Sequence, residues 1–397
     1  MADRPIALAV VGGRRGRIVE GALSKLTGRL EVAAICDPDP EVLRVWKERH
    51  PEIRVYTDYD RLLADPPCNA VFVASPLLLH ASQSIKAMDA GMDVLCEVSA
   101  AQTMDDCWAL VETVERTGRT YMMAENHCYE RDALAVLNMV RQGVFGDLYY
   151  AEGFYLNDHS FHYINPDGSL HWWGQLRLDF EGNWYPTHAL GPVAWWLDAT
   201  SRGSDRLSTI ATFGCTGHST EHYLAERLAA DHPLRKLRFA MSDSTTSIIT
   251  TEQHKMIVLR SDWTSRRPSN TGHYALQGTK GAYHSGRCDG EPGLAWVAGE
   301  SPTRPNGLAD QFDLFDQYAE KYQHPRWAET KDVAQEWDRP ILLMVTDFVE
   351  AVERRTPSAI DVYDSVAWSS ITPLSAQSLA EESATIDIPD FARRRAG

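Results

Sequence analysis

Apolar segments alternate with amphipathic ones over the first 125 residues of the chain. Continuous apolar runs are typical of strands that are buried on both faces of a parallel sheet, and Ile6–Val11 is such a run. Further strands are predicted at Leu30–Cys36, Ala70–Ala74, Val94–Cys96 and Thr120–Ala124. Helical periodicity lies between them, at Arg17–Leu26, Pro40–His50, Ala81–Ala90 and Met104–Thr117. This alternation predicts an α/β fold with a doubly wound parallel sheet.

The pattern changes from about residue 148, where strand-like runs follow one another with few helices between them. These runs are Leu148–Leu156, Leu207–Gly214, Thr246–Thr251, Met256–Arg260 and Tyr274–Gly278, with a hairpin turn expected at Gly278–Gly281. The last three have no helix between them, which predicts a mostly antiparallel open sheet. Helical patterns return at Pro340–Arg354 and Tyr363–Ala380. We therefore predict a first domain of residues 1–130 and a C-terminal α+β domain of residues 131–397, whose last helices pack back on the core.

Composition and charge narrow the class of partner. The chain has 397 residues and a formal net charge of −16, from 39 basic and 55 acidic residues. Such a surface repels nucleic acid and anionic membranes, and no apolar stretch of about 20 residues is present to span a bilayer. The seven cysteines include no CxxC pair, and no signal peptide precedes the first strand. These features indicate a cytoplasmic protein with reduced thiols.

A glycine-rich turn follows the first strand. The segment Val11-Gly12-Gly13-Arg14-Arg15-Gly16 matches the second and third glycines of a Gly-x-Gly-x-x-Gly dinucleotide fingerprint at Gly13 and Gly16. Val11 stands where the first glycine is expected, and Gly12 beside it is expected to supply the tight turn. Gly13 is expected to let the backbone approach a pyrophosphate, whose charge the following helix N-terminus favours. The turn therefore predicts a Rossmann domain.

The ends of the later strands carry the residues that select the cofactor. Asp37 lies 21 residues past Gly16, where a carboxylate binds the ribose hydroxyls and repels a 2′-phosphate. We therefore expect NAD rather than NADP; a bare helix-capping role for Asp37 is the alternative. Three further strand ends, at Ser75–His80, Glu97-Val98-Ser99 and Glu125-Asn126, lie where ligands bind in open α/β sheets, although His80 could simply begin a helix.

This series of strand ends resembles the Gfo/Idh/MocA oxidoreductases. That family carries Glu-Lys-Pro where this chain has Glu97-Val98-Ser99, and the missing Lys argues against ordinary dehydrogenase chemistry. Four stretches resemble more closely the NAD-dependent α-N-acetylgalactosaminidases of glycoside hydrolase family 109 and the related oxidoreductive sulfoquinovosidases. They are residues 96–101, Asn138–Gly146, Gly182–Val193 and Ile360–Ser370, and the Asn-x-Tyr-Pro-Thr-His segment at Asn183–His188 is the most specific.

The resemblance implies a set of contacts. The implied NAD contacts are Arg14, Arg15, Asp37, the run Leu77, Leu78, Leu79 and His80 after Ser75, then Glu97, Val98, Asn126 and Tyr185. The implied sugar contacts are Tyr155, Arg177, Asn183, Tyr185, Thr187 and His188. The family also places a Tyr against the sugar in an Arg-Pro-Tyr-Ser segment. Ser269 stands at that position here, which argues against N-acetylgalactosamine as the substrate.

The chemistry that the resemblance implies is hydrolysis through a temporary oxidation. Bound NAD⁺ takes a hydride from C3 of the sugar, a base removes the acidified C2 proton, the aglycone leaves from C1, water adds, and NADH returns the hydride. His188 is the expected base for the C3 hydroxyl because its ordinary pKa lies near neutrality. Tyr185 lies one helical turn away, and Tyr155 is the candidate for proton transfer at C2 or to the leaving group. A buried structural role for His188, and a packing role for Tyr155, are the alternatives.

A loop rich in His and Trp, residues 157–173, follows the strand that carries Tyr155. Aromatic side chains commonly form platforms for sugars, so His159 and Trp173 are further candidate substrate contacts. With Arg177 nearby, this loop is also expected to suit an anionic sugar such as sulfoquinovose. The His-x-x-His spacing at His159 and His162 has no third ligand at a recognisable spacing, so no metal is expected.

Three functions follow from these features, in order of preference. The first is an NAD-dependent glycosidase, the second an NAD-dependent sugar dehydrogenase that releases NADH, and the third an NAD-binding sensor without turnover. A small glycoside is the expected partner. An exposed sheet face in the second domain would make the chain a dimer or tetramer.

Overall fold

The computed structural model describes residues 5–268, 270–333 and 335–392, and it confirms the predicted α/β class with one parallel and one mostly antiparallel sheet. The chain forms two compact units. The first contains the chain up to Leu134, then His324–Ser370 and the residues from Phe391; the second contains Ala135–Gln323 and Ile371–Asp390. Residues 324–370, which the sequence assigned to the C-terminal domain, therefore belong to the first unit.

The first unit is built on six strands and the helices that connect them. These elements are β1 Ile6–Val11, α1 Gly13–Gly16, α2 Glu20–Leu23, β2 Leu30–Cys36, α3 Pro40–Arg49, β3 Arg54–Tyr56, α4 Tyr59–Ala64, β4 Ala70–Val73, α5 His80–Asp89, β5 Asp93–Cys96, α6 Met104–Thr117 and β6 Tyr121–Met123. The strand order is β3-β2-β1-β4-β5-β6, and every pair is parallel. The direction of winding reverses between β1 and β4, so their carboxyl ends form the switch point where such sheets bind ligands.

Two features of this unit differ from the sequence prediction. The expected helix Arg17–Leu26 is instead a short α1, a 3₁₀ turn at Arg17–Val19, and a short α2. The strand β3 and helix α4 were missed, because β3 is a three-residue edge strand with exposed side chains and therefore has no apolar run. Asp58 caps α4 by accepting the Arg61 N–H at 2.9 Å.

The second unit holds a nine-stranded sheet. Its elements and the helix that leads into it are α7 Arg131–Arg141, β7 Leu148–Leu156, α8 Trp172–Asp179, α9 Thr187–Trp196, β8 Leu207–Cys215, α10 Ser219–Arg227, β9 Ser244–Thr251, β10 Met256–Asp262, β11 Asn270–Gly278, β12 Gly281–His284, β13 Leu294–Val297, β14 Asp313–Leu314 and α11 Asp316–Lys321. The strand order is β14-β13-β12-β11-β7-β10-β9-β8-β15, with β15 at Ile386–Asp387. The expected hairpin at Gly278–Gly281 joins β11 to β12.

One pair of strands in this mostly antiparallel sheet is parallel. Strand β10 is antiparallel to β9 but parallel to β7, with Ser261 opposite Tyr155 and Asp262 opposite Leu156. The carboxyl ends of β7 and β10 therefore lie side by side at one edge of the sheet. Helix α9 covers one face of the sheet and packs on β7, β10 and β11.

The helices after residue 324 are α12 Pro325–Ala328, α13 Asp338–Arg354, α14 Val362–Ser369 and α15 Ile371–Ala380. Helix α13 packs on α2, and α14 packs on α6 and β6, within the first unit. The single helix predicted at Tyr363–Ala380 is two helices, because Pro373 fits only in the first turn of a helix and so favours a new start at Ile371. Among the described residues, no helix is both long and apolar enough to cross a membrane.

Candidate functional site

The glycine-rich turn after β1 leaves no room for side chains. Gly12 has a φ of 91°, and a Cβ there would lie 2.3 Å from the carbonyl oxygen of Ala74, so Gly12 does form the tight turn. A Cβ at Gly13 would lie 2.5 Å from Val42 Cγ1 on α3, and one at Gly16 would collide with β1 at 2.2 Å. The turn is therefore a bare backbone cradle, which is what the approach of a pyrophosphate requires.

Asp37 stands at the end of β2 with a fixed carboxylate. Its Oδ2 accepts the Gly13 N–H at 2.7 Å, and its Oδ1 accepts the Asp39 N–H at 2.9 Å. Helix α3 is capped by Asp39 rather than by Asp37, since the Asp39 side chain accepts the Glu41 N–H. Arg14 forms an ion pair with Asp39 at 2.6 Å. Each Asp37 oxygen keeps a further acceptor position, so the carboxylate fits the ribose hydroxyls of NAD.

His80 joins the ends of β4 and β5. It is buried, with Nε2 2.9 Å from the Ser75 carbonyl oxygen and Nδ1 2.9 Å from the Ser99 carbonyl oxygen. Carbonyl oxygens only accept hydrogen bonds, so both ring nitrogens donate and the ring is an imidazolium. Burial lowers the pKa of His80, but Cys96 and the two carbonyls outweigh burial and raise that pKa to about 9. His80 therefore places a positive charge at the edge of the sheet where an anionic ligand is expected.

The other predicted cofactor residues lie at the same edge of the first unit. Leu77 is buried, whereas Leu78 and Leu79 expose apolar surface at the end of β4. The buried carboxylate of Glu97 accepts the Arg15 Nε–H at 2.6 Å, which ties the glycine turn to the end of β5. The remaining ones are Ser75, whose hydroxyl donates to Gln83 at 2.5 Å, the buried Val98, and Asn126, which begins a 3₁₀ turn after β6. These residues fit a dinucleotide.

In the second unit, six side chains form an aromatic cluster: Tyr155, His159, Trp173, Tyr185, His188 and Trp263. The ring centre of Tyr155 lies 5.9 Å from that of Tyr185, 5.6 Å from His188 and 5.7 Å from Trp263. Tyr185 and His188 are 5.1 Å apart with nearly perpendicular rings. Trp263 also meets Trp173 at 4.7 Å and His159 at 4.8 Å. The structure thus brings the three predicted catalytic residues together.

The sheet explains why these side chains meet. Tyr155 is near the end of β7 and Trp263 directly follows β10, and the parallel pairing of these strands sets their ends side by side. The loop after β7 is held there because the His159 N–H donates to the Trp263 carbonyl oxygen at 2.9 Å. Tyr185 has a φ of 60°, in the left-handed region that bulky residues rarely adopt. Such strain is typical of functional positions.

Helix α9 brings His188 to the cluster. Gly153 on β7 lets this helix lie directly on the sheet, because a Cβ at Gly153 would fall 1.9 Å from the Ala189 carbonyl oxygen. Tyr155 lies two residues further along β7 and so points to the same face as Gly153. The Gly153 contact therefore sets the distance between Tyr155 and His188.

The hydroxyl of Tyr155 is paired with a neutral histidine. Its oxygen lies 3.1 Å from His159 Nε2, and burial, with His162 nearby, lowers the pKa of His159 to about 4. Burial also lowers the pKa of His162 and His171 on the same loop. At neutral pH His159 can therefore accept the Tyr155 hydroxyl proton in a hydrogen bond. Among the described residues, no group of three His, Cys, Asp or Glu side chains is arranged to hold a metal ion.

The structure differs from the sequence expectation at Arg177, an implied sugar contact. Its side chain is 3% exposed and forms an ion pair with Asp243 at 3.1 Å. Its Nε donates to Thr220 at 2.8 Å, and its guanidinium lies over the ring of Tyr163. The guanidinium therefore ties α8 to the start of α10 and is not presented to a ligand.

Asn183 and Thr187 are also fully buried. The Asn183 Nδ2 donates to Ser247 at 3.3 Å, and its backbone N–H donates to Ser375 at 2.7 Å. Their oxygens Asn183 Oδ1 and Thr187 Oγ1 have no hydrogen-bond partner within the part of the chain that the structure describes. Neither side chain is exposed on the surface of this chain. Ser269 lies outside the described residues.

Trp263 is the site residue that sequence reasoning missed. Its ring contacts four of the five other cluster members, and its Nε1–H has no acceptor among the described residues. The sequence offered one indication of its role, which is that Trp263 lies just after a strand-like apolar run. That indication points to the site only when the pairing of β10 with β7 is known, because this pairing brings Trp263 beside Tyr155.

The parallel sheet, its glycine turn and Asp37 define the first unit as an NAD-binding Rossmann domain of the oxidoreductase type. In agreement, residues 6–125 match the family described as "Oxidoreductase family, NAD-binding Rossmann fold". Residues 129–396 match "Glycosyl hydrolase 109, C-terminal domain". The chain belongs to the glycosyl hydrolase 109 family.

Individual relatives agree with this assignment. The chain is 32% identical to a glycosyl hydrolase family 109 protein of Stenotrophomonas maltophilia, over 98% of this chain and 89% of the relative. It is 31% identical to an alpha-N-acetylgalactosaminidase of Tannerella forsythia, over 91% of this chain and 81% of that enzyme. Among solved structures, a levoglucosan dehydrogenase with NADH and levoglucosan shares the fold, with a TM-score of 0.74, 18% identity, and coverage of 97% of this chain and 100% of that one.

Proposed function

We propose that this protein is an NAD-dependent glycoside hydrolase that acts by transient oxidation at C3, deprotonation at C2, elimination of the aglycone, addition of water and re-reduction. The observation that carries the proposal is the aromatic cluster, in which the ring centres of Tyr155, Tyr185 and His188 lie 5.1 to 5.9 Å apart beside Trp173 and Trp263. Membership of the glycosyl hydrolase 109 family supports glycosidic bond cleavage over simple dehydrogenation.

The chain's own residues then have distinct roles. NAD, when bound, supplies reversible hydride exchange with a sugar carbon. His188 takes and returns the proton of the C3 hydroxyl, and Tyr155 moves a proton at C2 or at the leaving oxygen. His159 orients the Tyr155 hydroxyl through the 3.1 Å hydrogen bond. The faces of Trp173 and Trp263 pack on the sugar ring and exclude water from it.

Solvent deuterium tests this scheme directly. Turnover of an aryl glycoside in D₂O should place deuterium at C2 of the released sugar and require NAD⁺, because the C2 hydrogen is removed and replaced during elimination and water addition. His188→Ala should abolish turnover while NAD binding persists, and His222→Ala, at an exposed position on α10, is the matched control. Hydrolysis without deuterium at C2, or an active His188→Ala variant, would contradict the mechanism.

A sugar dehydrogenase that releases NADH is the second candidate. The levoglucosan dehydrogenase that shares the fold favours it. With excess NAD⁺ and a free sugar, the dehydrogenase predicts a steady rise of absorbance from NADH, whereas the glycosidase predicts none beyond one equivalent per active site. An NAD sensor would produce no NADH from the free sugar and would not hydrolyse the aryl glycoside.

We propose that the substrate differs from N-acetylgalactosamine, because Ser269 stands where the family has a Tyr against the sugar. Whether the substrate is anionic or uncharged can be tested. The His- and Trp-rich loop supports an anionic sugar such as sulfoquinovose. Against it, Arg177 is paired with Asp243, and the pKa values of His159, His162 and His171 are lowered, which favours their uncharged forms. The charges thus support an uncharged pyranoside. A screen of aryl glycosides that includes α-sulfoquinovoside decides, since a preference for the sulfonated sugar would reverse this choice.

We also propose that the chain forms a homo-oligomer. The face of the second sheet opposite α9 exposes Phe213, Ile248 and Met256 on the adjacent strands β8, β9 and β10. Adjacent exposed apolar side chains of this kind support an interface between copies. Light scattering coupled to gel filtration tests this, and a monomeric mass would refute it.

A further inference from the structure

Helix α9 contains a proline one turn after His188. In an α-helix the N–H of residue 192 donates to the carbonyl oxygen of residue 188. Pro192 has no N–H, so residue 192 cannot give the His188 carbonyl the hydrogen bond that an α-helix normally supplies there. His188 is buried, and an unpaired buried carbonyl is costly.

A side chain from the sheet replaces the missing donor. The hydroxyl of Tyr274, on β11, donates to the His188 carbonyl oxygen at 2.7 Å. Tyr274 is itself buried, and its ring meets the ring of Trp196 edge to face with centres 5.7 Å apart. The hydroxyl is therefore held in place from both the strand and the far end of α9.

We propose that Tyr274 is a positioning residue of the active site. Its hydrogen bond fixes the backbone at His188, and the backbone fixes where the imidazole can point toward Tyr155 and Tyr185. The Tyr274 hydroxyl thus takes the place of the donor that an ordinary residue at position 192 would supply to the same carbonyl. This inference rests on the proposed catalytic role of His188.

The pairing of a proline with a tyrosine allows a rescue experiment. Tyr274→Phe removes the hydroxyl that donates to the His188 carbonyl and should lower kcat about 10- to 100-fold with little change in KM, since a small displacement of a catalytic group costs rate rather than affinity. Pro192→Ala restores an N–H at the position that faces this carbonyl. The double variant Tyr274→Phe/Pro192→Ala should therefore regain most of the lost kcat. An unchanged kcat in Tyr274→Phe, or a double variant no better than Tyr274→Phe, overturns the proposal.

A second measurement does not depend on turnover. In Tyr274→Phe, the NMR signals of the His188 ring should broaden or shift, and the amides of the first turn of α9 should exchange faster with solvent. The control is Tyr318→Phe, which loses buried hydroxyl bonds to Asp313 and Ser301 and should leave both readouts unchanged. If His188→Ala keeps full activity, the proposed function fails while the NMR comparison still decides whether Tyr274 positions His188. Unaltered His188 signals in a folded Tyr274→Phe protein would overturn the inference.

Discussion

Gly153 is the position where the smallest change in sequence should have the largest effect on the aromatic cluster. A methyl group there would lie 1.9 Å from the Ala189 carbonyl oxygen, whereas ordinary contact begins at 3.4 Å. The variant Gly153→Ala must therefore move α9 and β7 apart by about 1.5 Å. The strand is paired on both sides by β10 and β11, so the helix is the element expected to move.

The displacement acts directly on the proposed chemistry. His188 moves with α9 while Tyr155 stays on β7, which separates two groups whose ring centres are now 5.6 Å apart. A misplacement of about 1 Å in a catalytic group costs on the order of 100-fold in rate, and overpacking costs about 1–3 kcal/mol in the free energy of unfolding. For Gly153→Ala we therefore expect kcat for the best aryl glycoside to fall on the order of 100-fold.

The assay compares kcat, NAD affinity by calorimetry and urea unfolding for Gly153→Ala and Gly217→Ala. Gly217 is the matched control because a methyl group there meets nothing closer than 3.3 Å. NAD affinity should change little in either variant, since the glycine turn and Asp37 lie in the first unit. A folded Gly153→Ala protein with kcat within about twofold of the parent would refute the assignment of this contact.

Two further outcomes are expected. His80 has a pKa of about 9 in the folded protein against 6.5 in the unfolded chain. The charged ring therefore stabilises the fold by at most about 3 kcal/mol below pH 6.5, and this contribution is lost as the pH rises toward 9. His80→Gln should flatten the fall in unfolding free energy between these pH values, and parallel curves of unfolding free energy against pH for the two proteins would contradict the imidazolium. Arg177→Met leaves Asp243 buried without its partner and should lower the free energy of unfolding by about 3 kcal/mol, with a smaller loss when Asp243→Asn is added. A raised KM with unchanged stability would instead restore Arg177 as a sugar contact.

The parallel sheet could be predicted from the sequence because its central strands β1, β4 and β5 are buried on both faces and appear as largely apolar runs. Helix α6 was predicted to the residue, since Thr103 caps its start and Gly118 ends it. The edge strand β3 had no such run and was missed. The elements with the most buried side chains were therefore the easiest to predict from the sequence.

The candidate site was predictable only where function resides in a contiguous motif. The segment ending at His188 identified two of the three proposed catalytic residues, and the strand before the loop supplied Tyr155. Trp263 and the burial of Arg177 depend on partners far along the chain, namely β7 and Asp243. No local pattern records such pairings, because they arise from the order of strands in the folded sheet.

The neighbouring strands β7 and β10 are 100 residues apart in sequence, from Leu156 to Met256. Contacts between such distant segments carry a large loop-closure entropy and form late in folding. The edge that holds Tyr155 and Trp263 is thus expected to assemble later than the pairing of β1 with β2, which are 19 residues apart, from Val11 to Leu30. NAD binding is then a poor reporter of correct folding in preparations of variants, because the glycine turn and Asp37 lie in the first unit whereas Tyr155 and Trp263 lie in the second.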